Sequence, residues 1–78
     1  MKPTFAQHND FLALKPVPGV ALQHNDYVNV IAGEHQGDSG SVVSVEELGA
    51  DPLYVVELES GKDATIRQSR LRFVAHDR

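Results

Sequence analysis

Apolar and polar positions alternate along much of the chain after residue 26, and this alternation is the strongest structural signal in the sequence. It is clearest over residues 53–59, where Tyr54, Val56 and Leu58 occupy one set of alternate positions. Because successive side chains of a strand point to opposite faces, a period of two predicts half-buried β-strands. The same criterion predicts further strands over residues 27–32, 41–46, 64–67 and 72–74. Residues 68–71, between the last two strands, are interpreted as a 3₁₀-type turn.

Glycines mark the corners between these strands. The loop that follows the first predicted strand contains Gly33, Gly37 and Gly40. A long connection between neighbouring strands needs sharp turns, and glycine adopts positive φ there without a steric penalty. Backbone geometry alone therefore accounts for all three. Gly61 lies in the same way within a tight hairpin turn before the fourth strand.

The N-terminal part of the chain lacks a strand pattern. Residues 1–10 are polar and aperiodic, so we expect a flexible tail there, then a single domain over residues 11–75 and a short tail over residues 76–78. The apolar segment that opens the domain is interrupted by Pro16 and Pro18, which exclude a helix at that point. We expect this extended segment either to pack across the mouth of a barrel or to add an edge strand.

One tetrapeptide, QHND, occurs twice. The copies occupy residues 7–10 and 23–26, and an aromatic residue follows each of them. Two copies are too few for a repeat architecture. We interpret them as two similar turns that lead into strands, or as a chance repetition.

These elements together predict an all-β fold. No stretch shows the 3.6-residue apolar period of a helix. Five short strands joined by glycine-rich turns predict a small five-stranded antiparallel barrel, because closure leaves no strand edge unpaired. Its expected core consists of Val28, Val30, Val42, Val45, Tyr54, Val56, Leu58, Ile66, Leu71 and Phe73.

The composition narrows the functional classes. The 78 residues make one domain, and the absence of cysteine excludes disulfides and thiolate metal sites and weakly favours a reducing compartment. The N-terminus lacks the apolar core of a signal peptide, and no uncharged stretch is long enough to span a membrane. We therefore expect a cytoplasmic protein.

Charge is divided unevenly along the chain. The net charge is −4, with two lysines and nine carboxylates in residues 1–61 and five basic residues and two carboxylates in residues 62–78. An acidic body repels a polyanion overall, whereas Arg67, Arg70 and Arg72 form a local basic stripe. This stripe is the first candidate for a partner-binding surface.

Residues 26–45 resemble the KOW motif, a strand, a glycine-spaced loop and a second strand found in ribosomal proteins and in transcription elongation and antitermination factors. Residues 66–74 are similar to the closing turn and strand of SH3-like barrels. The whole of residues 11–74 looks like a small stand-alone bacterial SH3-like protein. The resemblance implies an SH3-like barrel with an extended N-terminal segment and a role in binding a partner. The spacing that carries the KOW likeness is Val28, Val30, Gly33, Gly37, Gly40, Val42 and Val45.

The KOW likeness also implies an alternative function, binding RNA or associating with the ribosome or the transcription machinery. KOW loops that bind nucleic acid usually carry lysine and arginine between their glycines, because contacts with phosphates need cations. The corresponding residues here are Glu34, His35, Gln36, Asp38 and Ser39. The two carboxylates repel a phosphate backbone, so the sequence favours a protein partner over nucleic acid.

Six side chains are candidates for contacting a partner. Arg67 and Arg72 are expected to point outward, and with Arg70 they suit an acidic or phosphate-bearing surface. The alternative is that these arginines pair with Glu57 and Glu59 across the hairpin, where surface ion pairs contribute only ~0–1 kcal/mol each. The other three candidates are Tyr27, which is expected at the surface, and Glu34 and His35 in the glycine-rich loop.

We find no constellation that predicts catalysis or cofactor binding. The four histidines are scattered without the spacing of a zinc site, and the serines have no triad partners. A small filled barrel also leaves no room for a deep pocket. The sequence therefore predicts a non-enzymatic protein-interaction module that is monomeric or weakly dimeric, without a metal, a cofactor or a membrane partner.

Overall fold

Five antiparallel strands form one sheet in the computed structural model, which describes residues 1–76. Within that range an α-helix precedes the sheet, and a 3₁₀ turn joins the last two strands. No helix among these residues is long and apolar enough to cross a membrane. The elements are α1 (Phe5–Leu12), β1 (Asp26–Val30), β2 (Ser39–Glu47), β3 (Leu53–Leu58), β4 (Asp63–Arg67), the 3₁₀ turn (Gln68–Arg70) and β5 (Leu71–His76).

The strands are arranged in the order β4-β3-β2-β1-β5. The first four lie beside their neighbours in sequence, whereas β5 crosses the sheet to pair with β1. All neighbouring pairs are antiparallel, which confirms the predicted all-β, antiparallel architecture. The sheet is not closed, because among the described residues β4 and β5 are each paired on one side only.

Strand positions follow the alternation in the sequence. Each of the five predicted strands overlaps one observed strand. The main differences are in β2, which begins at Ser39 and so includes Gly40, and in β5, which extends through His76. His76 therefore belongs to the sheet and not to the tail predicted over residues 76–78. The other two residues of that tail lie outside the described range.

Helix α1 lies largely where the sequence predicts a flexible tail. A capping box starts it, because the Gln7 N–H donates to the Thr4 hydroxyl at 3.2 Å and the Thr4 N–H donates to the Gln7 side chain at 2.8 Å. Its buried residue, Phe11, packs against the rings of His24 and Tyr54. The domain boundary predicted at residue 11 thus falls inside a folded element.

The core agrees with the predicted one at nine of its ten positions. The exception is Phe73, which is 45 % exposed. Phe73 pairs with Val28, so its side chain lies on the same face of the sheet as the core residue Val28. It belongs to the edge strand β5, however, and among the described residues it has a neighbouring strand on one side only. The core also contains four buried residues that the alternation did not identify, Phe11, Val17, Leu22 and Leu48.

The segment between α1 and β1 packs over the core and adds no strand. Val17 and Leu22 are its buried side chains. The Leu22 N–H donates to the Tyr54 hydroxyl at 3.4 Å, and that hydroxyl donates to the side-chain oxygen of Gln68. The same oxygen accepts a hydrogen bond from the Ala21 N–H at 3.1 Å. Burial raises the pKa of Tyr54, so its hydroxyl stays protonated and ties this segment to the 3₁₀ turn.

A buried carboxylate joins the start of β1 to the end of β5. Asp26 is 1 % exposed, and its oxygens lie 2.8 Å from Nδ1 of His76 and 2.7 Å from the backbone nitrogen of Gln23. Both oxygens are therefore within hydrogen-bond distance of a partner, as burial of a polar group requires. The contact holds the β1–β5 pairing at the end away from the 3₁₀ turn.

Candidate partner-binding groove

A groove of about 360 Å³ lies between the end of β1, the edge strand β4 and the loop over residues 33–38. The apolar residues Val30, Leu53 and Ile66 are among those that line it. The groove therefore offers apolar surface beside charges of both signs. The charged or titratable side chains that line it are Glu34, His35, Asp63, Arg67 and Arg70.

The groove brings together four of the six candidate partner-binding residues. Glu34 and His35 come from the loop, whereas Arg67 ends β4 and Arg70 ends the 3₁₀ turn. Residues far apart in sequence thus converge on one surface. The two candidates that do not line the groove are Tyr27 on β1 and Arg72 on β5.

Tyr27 and Arg72 lie on the sheet outside the groove. The Tyr27 hydroxyl donates to the Glu59 carboxylate at 3.3 Å. Arg72 is exposed on the edge strand β5, where it pairs with Asn29 of β1. The basic stripe predicted from the sequence is thus divided between the groove and the face of β5.

Arg67 is held by an ion pair within the protein. Its guanidinium lies 2.8 Å from the carboxylate of Glu47, and this hydrogen bond lowers the pKa of the Glu47 carboxyl. The pair forms across the sheet because Leu53 is the register partner of Glu47 in β2 and of Arg67 in β4. The expected pairing with Glu57 or Glu59 is therefore wrong for Arg67.

Arg70 has no ion pair among residues 1–76. The ion pairs within that range involve His35, Arg67 and His76. Asp51 does attract Arg70 at longer range. The pKa of Asp51 is lowered mainly by hydrogen bonds from Ser69, and Arg70 has the smallest effect of the groups that act on it. Arg70 therefore presents an exposed cation to the groove.

Local backbone geometry positions Arg70. Its side chain lies across Gly33, where a Cβ would be 2.7 Å from Nη1 of Arg70. Gly33 also has φ +90°, which favours glycine. The Ile31 N–H donates to the Arg70 carbonyl at 2.9 Å, and the Gln68 N–H donates to the Pro52 carbonyl at 2.8 Å. Both ends of the 3₁₀ turn are thus fixed to the sheet.

The loop over residues 33–38 is anchored to β1 by backbone hydrogen bonds. The Gly37 N–H donates to the Val30 carbonyl at 3.0 Å, and the Val30 N–H donates to the Asp38 carbonyl at 2.9 Å. Gly37 has φ +95°, as expected for a corner glycine. The two candidate residues of this loop are therefore presented from a hydrogen-bonded backbone.

Gly40 is required for a reason other than the one that the sequence suggested. It lies buried inside β2, and its φ is not among the positive values. A Cβ at this position would clash with the backbone carbonyl of Glu57 in β3. The close approach of β2 and β3 therefore excludes a side chain at Gly40.

Strand β4 contributes groove residues that the sequence did not single out. Asp63, Ala64 and Thr65 line the groove beside Ile66. The signal for their role is weak but present, because a short strand with a charged residue at each end, here Asp63 and Arg67, is typical of a sheet edge. A sheet edge is a natural place for another chain to bind.

Other kinds of site receive no support from the described residues. No group of three or more histidine, aspartate or glutamate side chains within residues 1–76 is arranged to hold a metal ion. Buried side-chain polar atoms in the same range all have hydrogen-bond partners. Comparisons with protein-family models, curated proteins and solved structures found no match.

Proposed function

We propose that this chain is a non-enzymatic binding module of the SH3-like barrel class and that it binds a protein partner in the groove beside β4. The 3₁₀ turn followed by β5 supports the class, because those residues carry the resemblance to the closing turn and strand of such barrels. The register shifts in β2 support it too, since bulges bend a strand toward closure. They fall between Val42 and Ser44 and between Val45 and Glu47.

The observation that carries the proposed site is the setting of Arg70. It is an exposed cation without a carboxylate in ion-pair range among residues 1–76, and it lies beside the apolar side chains of Val30 and Ile66. Arginine is enriched at protein interfaces because one side chain supplies both a planar charged guanidinium and an apolar methylene stem. A cation beside apolar surface suits a peptide with both acidic and apolar side chains.

A catalytic role has less support from the same groove. A hydroxyl nucleophile is commonly activated by a neighbouring general base that accepts its hydrogen bond. Thr65 supplies the hydroxyl in this groove, and His35 is the possible base. No hydrogen bond joins the two within the described part of the chain. This arrangement favours binding over catalysis.

RNA binding of the KOW type is the second candidate. It is favoured by Arg70 and Arg72, which are exposed on either side of Leu71 and present two cations to the solvent. The carboxylates of Glu34 and Asp38 in the neighbouring loop oppose it, because they repel phosphates. We therefore rank it below a protein partner.

Two titrations of isotope-labelled protein, followed by two-dimensional amide NMR, distinguish the candidates. In one, peptides selected from a random linear library are added; in the other, single-stranded RNA is added at low salt. We expect peptide-induced shifts at Thr65, Arg70 and the loop over residues 33–38. RNA shifts that disappear at moderate salt, with no peptide selected, would contradict the proposal and support the RNA function.

A matched pair of variants localises the binding. Arg70→Glu reverses a charge in the groove, and Arg72→Glu makes the same change on β5 outside it. We expect Arg70→Glu to abolish peptide binding and Arg72→Glu to leave it intact. Equal losses in the two variants would show that net charge matters and that the groove does not.

A further inference from the structure

We infer that the groove accepts an extended segment of the partner as a sixth strand, added antiparallel along the free edge of β4. The inference rests on the proposed function and specifies the ligand of that same site. The segment carries a carboxylate near Arg70, a cationic side chain near Asp63 and apolar residues between them. Main-chain hydrogen bonds supply the affinity in this mode of recognition, and the flanking side chains supply the specificity.

The register of the β3–β4 hairpin identifies the backbone groups that face outward. The Leu58 N–H donates to the Lys62 carbonyl at one end, and the Gln68 N–H donates to the Pro52 carbonyl at the other. Hydrogen-bonded and non-hydrogen-bonded pairs alternate along an antiparallel ladder. Between these two hydrogen-bonded pairs, every second residue of β4 belongs to a non-hydrogen-bonded pair. The N–H and C=O groups of three β4 residues therefore point away from β3. These residues are Asp63, Thr65 and Arg67.

The outward backbone groups of β4 have no partner within residues 1–76. Within the described range no strand lies on that side of β4, and no loop or side chain there donates to or accepts from the backbone of Thr65. Thr65 is itself exposed. An edge of this kind is a template for an added strand, because the arriving backbone satisfies groups that water otherwise satisfies.

Charges at the two ends of β4 select the occupant. Arg67 is engaged by Glu47, so Arg70 is the cation available to an incoming carboxylate at that end. Asp63 is exposed at the hairpin end and forms no ion pair within the described residues.

The length of β4 sets the spacing of the two charges in the partner strand, because five strand residues span about 13 Å from first to last. An antiparallel partner strand therefore places its acidic residue first and its basic residue four positions later.

The apolar lining of the groove completes the match. Ile66 is buried and Ala64 is partly buried, and both pair with core residues of β3. Partner residues opposite them face the same side of the sheet, which is the side of the core residue Val30. Apolar β-branched side chains suit those two positions.

The edge of β5 lacks these features. The β1–β5 register shifts between Tyr27 and Val28, and such an irregularity twists the pairing locally. None of the groove-lining residues belongs to β5. Strand addition is therefore assigned to β4 and not to the opposite edge.

The probe is the acetylated and amidated peptide SEVTVKS, which places glutamate opposite Arg67, threonine opposite Thr65 and lysine opposite Asp63. Its control, SKVTVES, has the same composition and β-propensity with the two charges exchanged. A third peptide carries an N-methyl group on the central threonine, which removes one main-chain donor. Each is titrated into labelled full-length protein while amide shifts and amide hydrogen exchange are recorded.

We expect SEVTVKS to slow hydrogen exchange at the Thr65 amide. We also expect it to bind at least about fivefold more tightly than SKVTVES, because swapping the two charges turns attraction into repulsion at both ends of the peptide. The N-methylated peptide is expected not to bind. Equal binding of the two charge orders, binding without protection of Thr65, or no shift with SEVTVKS would each overturn the inference.

Two variants separate this inference from the proposed function. Thr65→Pro removes an outward N–H without breaking the ladder to β3, and Thr65→Val keeps that N–H at similar volume. Retained amide spectra show that each variant is folded. We expect only Thr65→Pro to lose SEVTVKS. If library-selected peptides bind wild type, fail with Arg70→Glu and still bind Thr65→Pro, the groove is a binding site and strand addition is wrong.

Discussion

Both carboxylate oxygens of Asp51 accept hydrogen bonds from Ser69, one from its backbone N–H at 2.8 Å and one from its hydroxyl at 2.6 Å. Asp51 lies in the loop after β2, whereas Ser69 is the middle residue of the 3₁₀ turn. The carboxylate thereby holds the turn that presents Arg70. Asp51, which does not line the groove, thus fixes the backbone from which the exposed Arg70 side chain extends into the groove.

The first prediction concerns acid. The hydroxyl and backbone N–H of Ser69 lower the pKa of Asp51, so the carboxylate stabilises the folded state above the unfolded pKa of about 4. That contribution is lost as pH falls through the lower folded pKa. We expect Asp51→Asn to reduce the free energy of unfolding at neutral pH and to converge with wild type at low pH. Urea unfolding across this range measures the difference.

The control for Asp51→Asn is Glu46→Gln. Glu46 is exposed, and its side chain makes no hydrogen bond or ion pair within the described residues. Its variant removes one carboxylate without breaking a side-chain contact and is expected to keep the free energy of unfolding of wild type at neutral pH. If both variants gave the same pH-dependent difference, net charge would explain the effect and the contact with Ser69 would not.

Tyr54→Phe is expected to destabilise the fold by ~1–3 kcal/mol, because it leaves the buried N–H of Leu22 without its acceptor. Tyr27→Phe removes a hydroxyl that contacts Glu59 in an exposed setting, and it is expected to cost no more than about 0.5 kcal/mol. Chemical denaturation of both variants tests the contrast. Similar losses would mean that the Tyr54 hydroxyl does not bind the segment before β1.

Gly40→Ala is expected to cost roughly 3 kcal/mol or more, because the added Cβ meets a backbone carbonyl that has no rotamer to change. Gly37→Ala is the matched variant. A Cβ at Gly37 meets no atom of the described residues within 4 Å, so its φ of +95° is what opposes the change, at about 1–2 kcal/mol. Thermal unfolding of the pair measures both. A Gly40→Ala protein as stable as Gly37→Ala would contradict the close approach of β2 and β3.

The N-terminal helix offers a fourth test through its two phenylalanines. Phe11 is 2 % exposed and Phe5 is 82 % exposed, so the same substitution removes a core side chain in one case and a surface one in the other. We expect Phe11→Ala to cost about 3–5 kcal/mol and Phe5→Ala no more than about 0.5 kcal/mol. Denaturant midpoints provide the comparison. Two neutral substitutions would show that the helix does not pack on the sheet.

The strands were predictable because the face of each is decided by alternate positions alone. Tyr54, Val56 and Leu58 are buried as their spacing requires. Phe73 follows the same spacing and is nevertheless exposed, since its burial depends on whether another strand lies beyond β5. Sequence periodicity gives the face of a residue and does not give the position of its strand in the sheet.

Helix α1 was missed because it is only eight residues long and buries one side chain. No apolar period develops over so short an element. A readable signal did exist in Thr4 and Gln7, whose spacing is that of a capping box. The two QHND copies show how strongly the surrounding sequence decides the local structure of one tetrapeptide. The first is helical after this cap, whereas in the second the Asp26 carboxylate accepts a hydrogen bond from Gln23 and closes a turn.

The groove could be predicted only in part. Glu34, His35, Arg67 and Arg70 were identified as chemically suitable residues, but their convergence depends on how β4 folds back beside the end of β1. The partner of Arg67 was beyond prediction for a similar reason. Glu47 reaches it through a register that is shifted twice along β2, and no local pattern reports such shifts.

The crossing of β5 to β1 also has a consequence for how the chain is made. Asp26 and His76 lie 50 residues apart, whereas β2, β3 and β4 pair with the strands next to them in sequence. Contacts between distant residues form late, because loop closure must precede them. During translation β1 therefore emerges with one unpaired edge that persists until β5 has been synthesised. An open strand edge of this kind is a template for pairing with another chain, so the interval is one in which the nascent chain is exposed to aggregation.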